Sequence, residues 1–128
     1  MIVDTSAAVA IILREAGCED LADRLLEEAE VGMGTPSLAE CGLVLAGKSR
    51  LDWATLIDEF KTRFGLEEVS FSPSRWVVAV EAYERFGKGR HPAKLNFGDC
   101  LSYAVARVAD RPLLYVGNDF PLTDLWRE

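Results

Sequence analysis

The sequence predicts an α/β fold with a mainly parallel sheet. Short apolar runs of strand length alternate with longer segments in which apolar residues recur every three or four positions, the spacing of amphipathic helices. Strands that alternate with helices are typical of parallel sheets, because parallel neighbours need long crossover connections. The 128 residues are enough for one core, so we expect a single domain over residues 1–128.

The first half of the chain contains two predicted strands and four predicted helices. Met1-Ile2-Val3 begins a buried strand over 2–4, and a helix over 6–15 follows until the Ala16-Gly17 break. The other elements of this half are a helix around 19–30, a strand at Val31–Gly34, a helix from Pro36 to about Ser49 with Thr35 as its cap, and a helix at about 52–64.

The second half alternates in the same way around one basic loop. Its predicted elements are a strand at Glu68–Phe71, a helix from Ser72-Pro73 to Phe86, an apolar helix that Asn96-Phe97-Gly98-Asp99 leads into and that runs to about Ala109, and a buried strand at Leu113–Val116. Gly87 and Gly89 open the basic loop, and the last strand ends at Gly117.

Composition limits the chemistry that the chain can perform. Cys18, Cys41 and Cys100 are far apart and form no CxxC pair, which argues against a disulfide framework and a thiolate zinc site. His91 is the only histidine, which excludes metal sites built on several imidazoles. The apolar runs are too short to span a membrane, and the N-terminus lacks the basic region of a signal peptide. We expect a cytoplasmic protein, without membrane association, whose chemistry comes from carboxylates.

The charge distribution leaves a nucleic-acid partner open. The net charge of −7 argues against phosphate binding, which Lys and Arg normally supply. The segment 85–98 nevertheless contains no acid and four basic side chains, those of Arg85, Lys88, Arg90 and Lys94. This segment is either a solvated loop or a site that contacts RNA phosphates.

Four acids lie where a predicted strand ends or a predicted helix begins: Asp4, Glu40, Asp99 and Asp119. The carboxyl ends of parallel strands meet at one rim of the sheet, and the helix starts border that rim, so these side chains should converge. Converging carboxylates raise one another's pKa values unless a cation neutralises them. An all-oxygen ligand set favours Mg²⁺ or Mn²⁺, the ions of phosphoryl-transfer sites.

Each acid also has a structural interpretation. These alternatives are a cap at Asp4 or its neighbours, a capping box of Ser37 with Glu40, a capping box of Asn96 with Asp99, and a turn at Asp119. The joint occurrence of four acids at one rim favours the metal site. We therefore expect Thr5 or Ser6 to cap the first helix and leave Asp4 to the metal.

The chain resembles the PIN-domain ribonucleases, specifically the VapC-type toxins of bacterial toxin–antitoxin pairs. The matching stretches extend over essentially the whole length: MIVDTSA, TPSLAE, FGKGRHPAKLNFGDCLSYAVA and LLYVGNDFPLTDL. The four acidic positions of the family correspond to Asp4, Glu40, Asp99 and Asp119, and all four are acids here.

The resemblance implies a three-layer α/β/α sandwich with a mainly parallel central sheet. It also implies a Mg²⁺- or Mn²⁺-dependent endoribonuclease that cleaves RNA, often tRNA or another structured RNA, by metal-activated water and leaves a 5′-phosphate. The partners implied are a second copy of the chain, as a homodimer, and a cognate VapB-type antitoxin protein that inhibits it.

Roles for individual residues follow as hypotheses. Asp4, Glu40 and Asp99 hold one metal, while Asp119 helps to bind a second or positions the attacking water. Residues expected to hydrogen-bond a ligating carboxylate or metal-bound water, each with capping or turn formation as its alternative, are Thr5, Ser6, Asn118, Thr123 and Asp124. The apolar residues of the early helices, such as Leu25 and Leu43, are core or face an antitoxin helix.

Two other functions compete with this interpretation. A phosphatase with Asp4 as nucleophile would need a second aspartate two residues on, where the chain has Ser6. A non-catalytic RNA- or protein-binding module of the same fold would be favoured by the loss of one of the four acids, and none is lost.

Overall fold

The computed structural model describes residues 1–48 and 51–125, which form a sheet with helices on both faces. The strands are β1 (Ile2–Val3), β2 (Val31–Gly34), β3 (Leu66–Val69) and β4 (Leu113–Leu114). The helices are α1 (Thr5–Ile12), α2 (Cys18–Leu26), α3 (Thr35–Gly47), α4 (Trp53–Phe64), α5 (Pro73–Phe86) and α6 (Phe97–Ala109), and a 3-10 turn follows at Phe120–Leu122. The predicted end of α3 near Ser49 falls outside the described residues.

The sheet has the strand order β3-β2-β1-β4, and every pairing is parallel. Ile2 pairs with Gly32 on one side and Leu113 on the other. The chain therefore winds outwards from β1 through β2 to β3 and returns to add β4 on the opposite side of β1. This reversal of direction opens a crevice at the carboxyl ends of β1 and β4, the place where open α/β sheets bind ligands.

Two hydrophobic cores lie on opposite faces of the sheet. Val3 and Leu114 pack with residues of α1 to α4, whereas their neighbours Ile2 and Leu113 pack with residues of α5 and α6. Adjacent strand residues point to opposite faces, so the two cores lie above and below the same strands. This confirms the predicted three-layer α/β/α sandwich with a parallel central sheet.

Several elements end earlier than their patterns predict. The helix predicted over 6–15 ends at Ile12, because Arg14 adopts a left-handed conformation with φ 54°. The third strand occupies Leu66–Val69 instead of Glu68–Phe71. Gly65, with φ 58°, ends α4 and turns the chain straight into that strand, a conformation that glycine adopts without strain. The helix predicted around 19–30 spans Cys18–Leu26.

The cap of α3 also differs from the prediction. Gly34 is the N-cap residue and Thr35 is already helical, with no side-chain cap. Gly34 approaches α6 so closely that a Cβ there would lie 2.8 Å from Cγ2 of Val105. This close approach sets the spacing between α3 and α6, the two helices that bear Glu40 and Asp99.

The apolar residues of the early helices separate into buried and exposed sets. Leu25, Leu45 and Phe60 are buried, and Leu21, Val44, Leu56 and Ile57 are partly buried, whereas Leu26, Leu43 and Trp53 are exposed. Within the described ranges, no helix has the length and apolar character that a membrane span requires.

Candidate metal centre

Asp4 lies at the junction of β1 and α1 and is 4% exposed. Its Oδ2 accepts hydrogen bonds from the backbone N–H of Ser6 at 3.0 Å and from the Ser6 hydroxyl at 2.5 Å. Asp4 is thus itself the N-cap of α1, and the expectation that Thr5 or Ser6 would take that role was wrong. The extended backbone of Asp4 directs its carboxylate at the free N–H groups of the first turn, which leaves no capping role for the helical residues that follow.

The other oxygen of Asp4 is bound by a residue that sequence reasoning missed. The Ser102 hydroxyl donates to Asp4 Oδ1 at 2.5 Å, and the Ser37 hydroxyl lies 3.1 Å from that of Ser102. Both serines are buried within mostly apolar helices. The sequence did contain one indication of them: each serine lies three residues from Glu40 or Asp99, and residues three apart share a helix face.

Asp99 lies in the first turn of α6 and is half-buried. It forms a capping box with Asn96, in which the N–H of Asp99 donates to Asn96 Oδ1 at 2.9 Å and the N–H of Asn96 donates to Asp99 Oδ2 at 3.1 Å. Asp99 therefore forms the capping box that was its alternative role. Its other oxygen, Oδ1, accepts no hydrogen bond from the described residues.

The pKa of Asp99 is raised from 3.8 to about 6. Burial is the largest cause, and the negative charges of Asp4, Asp119 and Glu40 add to it, while the hydrogen bond from Asn96 opposes the shift. Asp4, Asp119 and Glu40 therefore lie close enough to repel a charge on Asp99.

Glu40 and Asp119 supply the exposed carboxylates of this group. Glu40 lies on α3 against Gly98, where a Cβ would stand 2.5 Å from Glu40 Oε2. The capping box of Ser37 with Glu40 does not form, because Ser37 lies inside the helix and its hydroxyl meets Ser102. Asp119 begins the turn after β4, and its carboxylate makes no hydrogen bond within residues 1–48 and 51–125.

The chemistry of this donor set fits a hard divalent cation. In the part of the chain that the structure describes, no three acidic, histidine or cysteine side chains already stand in a metal-binding arrangement. Asp4 is fixed by its hydrogen bonds, whereas Glu40 and Asp119 are exposed and can turn towards an ion. Burial is the main reason for the raised pKa of Asp99, and a bound divalent cation would relieve the repulsion from the other acids that adds to it. The assignment of these four acids as ligands stays a prediction.

The residues predicted to support the carboxylates differ in what they contact. Ser6 bonds to Asp4 and also accepts from the N–H of Val116 at 3.0 Å, which ties the ends of β1 and β4 together. The Thr5 hydroxyl donates to the backbone carbonyl of Ser37 at 3.2 Å, not to a carboxylate. The Thr123 hydroxyl donates within its own turn, to the carbonyl of Phe120 at 2.7 Å. Asn118 is exposed and makes no hydrogen bond in the described ranges.

Asp124 and Arg85, which were expected in separate roles, bind each other. Arg85 donates to Asp124 Oδ2 at 3.0 Å, Arg107 lies 3.6 Å from the same oxygen, and the Tyr103 hydroxyl donates to Oδ1 at 2.6 Å. Burial opposes the effect, but the bonds from Tyr103 and Arg85 hold the pKa of Asp124 below its usual value. Both residues are thus engaged in holding the C-terminal segment to α5 and α6.

The basic loop is ordered by its backbone. The N–H of Lys88 donates to the carbonyl of Leu95 at 2.9 Å, and the N–H of Leu95 donates to the carbonyl of Phe86 at 2.9 Å. Leu95 is fully buried beneath the loop. The side chains of Lys88, Arg90 and Lys94 are exposed and pair with no acid in the described ranges, although the Arg90 guanidinium lies 5.3 Å from the centre of the Tyr83 ring.

An apolar groove adjoins Glu40. It is about 630 Å³ in volume and is lined by α3, Phe71, α5 and the start of α6. Its most exposed large side chains are Leu43, Trp76 and Phe97, with 74%, 59% and 81% of their surfaces accessible. Single exposed apolar residues are normal on the surface of a monomer, whereas these side chains form a continuous apolar patch. The patch lies beside Glu40.

Comparisons with known proteins agree with this architecture. The PIN domain family model matches residues 1–124. Ribonuclease VapC36 of Mycobacterium tuberculosis is 43% identical over 126 residues, which cover 98% of this chain and 91% of the relative. Ribonuclease VapC28 of the same species is 42% identical over 130 residues, with 99% and 96% coverage. The crystal structure of M. tuberculosis VapC20, a toxin that cleaves the sarcin-ricin loop, superposes with a TM-score of 0.77 at 18% identity and covers 98% of this chain and 95% of that one.

Proposed function

The chain belongs to the VapC branch of the PIN domain family, and on this premise we propose that it is a metal-dependent endoribonuclease toxin controlled by a cognate antitoxin. The observation that supports the metal chemistry is the placement of Glu40 against Gly98, directly before the half-buried Asp99, with burial and the charges of Asp4, Asp119 and Glu40 raising the pKa of Asp99. Acidic side chains at the crevice of a parallel sheet attract a divalent cation, and a bound cation can in turn bind the phosphate of an RNA phosphodiester. The RNA would be met in the cytoplasm.

Asp4, Glu40 and Asp99 are the residues that would hold a Mg²⁺ or Mn²⁺ ion. When bound, such an ion lowers the pKa of water and stabilises negative charge on the phosphate that is attacked. Asp4 contributes a carboxylate held by Ser6 and Ser102, which removes the entropy of orienting it when the ion binds. Asp119, exposed after β4, either joins a second ion or accepts a hydrogen bond from the attacking water.

RNA phosphates would be held by Lys88, Arg90 and Lys94. These side chains are exposed on an ordered loop that leads directly into Asp99, so they border a site that would otherwise repel RNA. Arg85 is left out of this set, because Asp124 already neutralises it.

We assign the apolar groove of Leu43, Trp76 and Phe97 to a second copy of the chain. The groove is continuous over α3, α5 and α6 and mostly apolar, as homodimer interfaces are. Because it adjoins Glu40, the two sites of such a dimer would open near each other. Leu43→Glu should yield a monomer in light scattering, whereas Leu26→Glu, a matched exposed leucine on α2, should remain dimeric; a wild-type monomer contradicts the assignment.

The antitoxin would occupy a different groove, between α1 and α4. A cavity of about 220 Å³ there is lined by Ile11, Ile12 and Leu56, and among its charged residues Arg14 and Arg63 outnumber Glu59. These features suit an amphipathic helix whose apolar face enters the groove and whose acidic residues meet the arginines. Ile12→Glu should prevent inhibition by the protein encoded in the adjoining reading frame while leaving RNA cleavage intact.

The deciding experiment incubates the purified protein with labelled cellular RNA. Cleavage is expected with Mg²⁺ or Mn²⁺, with 5′-phosphate ends, and is expected to stop with a chelator or in the Asp4→Asn variant. Asn keeps the shape of Asp4 but removes the charge. Cleavage that persists in a folded Asp4→Asn variant contradicts the proposal, and tight RNA binding without cleavage would indicate the non-catalytic binding module instead.

A further inference from the structure

We propose that Ser37 and Ser102 form a hydroxyl relay, the hydrogen-bonded chain from Ser37 through Ser102 to Asp4, which sets the positions of the carboxylates of the metal centre. The inference rests on the proposed function, since these carboxylates are the ones that would hold the ion. Ser37 and Ser102 are 3% and 1% exposed. A buried hydroxyl destabilises the fold unless it is hydrogen-bonded, and both of these hydroxyls lead to one carboxylate.

The direction of the relay follows from the number of protons. The Ser102 hydroxyl donates its proton to Asp4 Oδ1. A serine hydroxyl carries a single proton, so the oxygen of Ser102 must be the acceptor in its 3.1 Å contact with Ser37. The protons therefore point from Ser37 to Ser102 and from Ser102 to Asp4. Hydrogen bonds aligned in this way polarise one another, and the last one is strengthened by the charge of the carboxylate.

The relay joins the elements that bear the acids. Ser37 lies three residues before Glu40 in α3, and Ser102 lies three residues after Asp99 in α6, so each hydroxyl is one helical turn from an acid. Asp4 follows β1 and receives the end of the relay. The contact of Ser37 with Ser102 thus fixes α3 against α6 at the level of the site, and Ser102 fixes the rotation of the Asp4 carboxylate.

Thr5 offers a matched control for the relay. Its hydroxyl is also buried and also reaches Ser37, but it donates to the backbone carbonyl of Ser37 and to no carboxylate. Thr5→Val therefore removes a hydroxyl of similar depth in the same region without interrupting the path to Asp4. Any loss that comes only from looser packing should appear equally in this variant.

The test measures Mn²⁺ affinity by calorimetry for the wild type, Ser102→Ala, Ser37→Ala, the double variant and Thr5→Val. Ser102→Ala should bind Mn²⁺ about 10-fold or more weakly, because groups that orient ligands typically have effects of this size. Ser37→Ala should show a smaller loss, and the double variant should match Ser102→Ala, since Ser37 acts only through Ser102. Thr5→Val should bind Mn²⁺ like the wild type. Urea unfolding establishes that each variant is folded.

The outcomes separate the relay from the proposed function. If the wild type binds Mn²⁺ and Ser102→Ala binds it equally well, or if Thr5→Val loses as much as Ser102→Ala, the relay is overturned while the metal chemistry stands. If the wild type binds no Mn²⁺, the metal chemistry fails and the relay with it. Should Ser102→Ala not fold, Ser102→Cys fills the position with a weaker donor. It should show a smaller loss of the same sign, and unchanged binding overturns the relay.

Discussion

The carboxylate of Glu40 lies against the α-carbon of Gly98, so that an added Cβ would stand 2.5 Å from Glu40 Oε2 and 3.0 Å from Oε1. Gly98 is helical and its φ is not positive, so its backbone would accept alanine readily. Glycine is therefore required at position 98 because any side chain there would occupy the space of the Glu40 carboxylate. Glu40 thus depends on the glycine that directly precedes Asp99.

Gly98→Ala should leave the fold intact but impair cleavage. Alanine favours a helix over glycine by about 1 kcal/mol, which offsets the shift that Glu40 must make, so the unfolding free energy should change little. Displacing a metal ligand by about 1 Å should lower the cleavage rate about 100-fold. Gly47→Ala is the control, since nothing lies within 4 Å of a Cβ there. Wild-type cleavage by a folded Gly98→Ala variant contradicts the role of Glu40.

The stability of the metal-free protein should fall as the pH rises through about 6. Because the folded-state pKa of Asp99, about 6, exceeds the ordinary value of 3.8, the folded state binds the proton more tightly than the unfolded state. The unfolding free energy due to this group is therefore highest below about pH 4 and decreases as the pH rises to about 6. Asp99→Asn should remove this part of the pH dependence, measured by urea unfolding with a chelator on both sides of pH 6.

Added Mn²⁺ should reverse that loss in the wild type, because a bound cation neutralises the repulsion among the acids. Asp99→Asn should gain much less from the ion. Equal stabilisation of both proteins at pH values above 6 would mean that the ion binds elsewhere.

Neutralising Lys88 and Lys94 should weaken RNA binding and flatten its dependence on salt. For a single-stranded RNA, each lysine that no longer meets a phosphate should reduce the slope of log affinity against log salt by about 0.7. Binding is measured with Asp4→Asn as background, so that the RNA is not cleaved. Arg85→Gln is the matched control: it removes a cation of the same segment that is already paired with Asp124, and its salt slope should equal that of the parent. An unchanged slope in the lysine variant would return the loop to a solvated surface.

Sequence patterns predicted the order of the elements because hydrophobic periodicity and the Gly and Pro signals are local. They also placed Asp4, Asp99 and Asp119 at ends of strands or starts of helices on one rim, since parallel topology brings strand ends together, and Asp99 does feel the charges of Asp4, Glu40 and Asp119. Their role as metal ligands stays a prediction. Patterns failed where the outcome depends on distant partners. Ser102 is 98 residues from Asp4; its spacing from Asp99 indicates the helix face that it occupies but not its partner.

The cap of α1 and the ion pair of Arg85 were missed for the same reason. Asp4 was expected to be either a cap or a ligand, but its capping bonds use Oδ2, and Oδ1 keeps a lone pair beside the bond from Ser102 for the predicted metal. Asp99 likewise caps α6 through Oδ2 while its Oδ1 accepts no hydrogen bond from the described residues. Arg85 was expected to bind RNA because it begins a run without acids. Its counter-ion, Asp124, lies 39 residues further along the chain, so the sequence of residues 85–98 alone cannot identify it.

Asp124 should matter for stability and not for cleavage. Replacing it by alanine leaves the hydroxyl of Tyr103 without its 2.6 Å partner, and an unsatisfied buried donor lowers the unfolding free energy by about 1–3 kcal/mol. Burial, then the bond to Asp124, raises the pKa of Tyr103 to about 12, so this hydroxyl remains a donor at any working pH. Tyr103→Phe removes the donor itself and should destabilise the fold less.

A double-mutant cycle of Asp124→Ala and Tyr103→Phe measures this coupling. The double variant should lose less unfolding free energy than the two single variants together. When Tyr103 has no hydroxyl, removing Asp124 leaves no buried donor without a partner. The remaining loss then reports the exposed pairs with Arg85 and Arg107, which contribute little. Cleavage by the folded fraction of Asp124→Ala should match the wild type, whereas a large fall in rate with full folding would restore Asp124 to the acidic site.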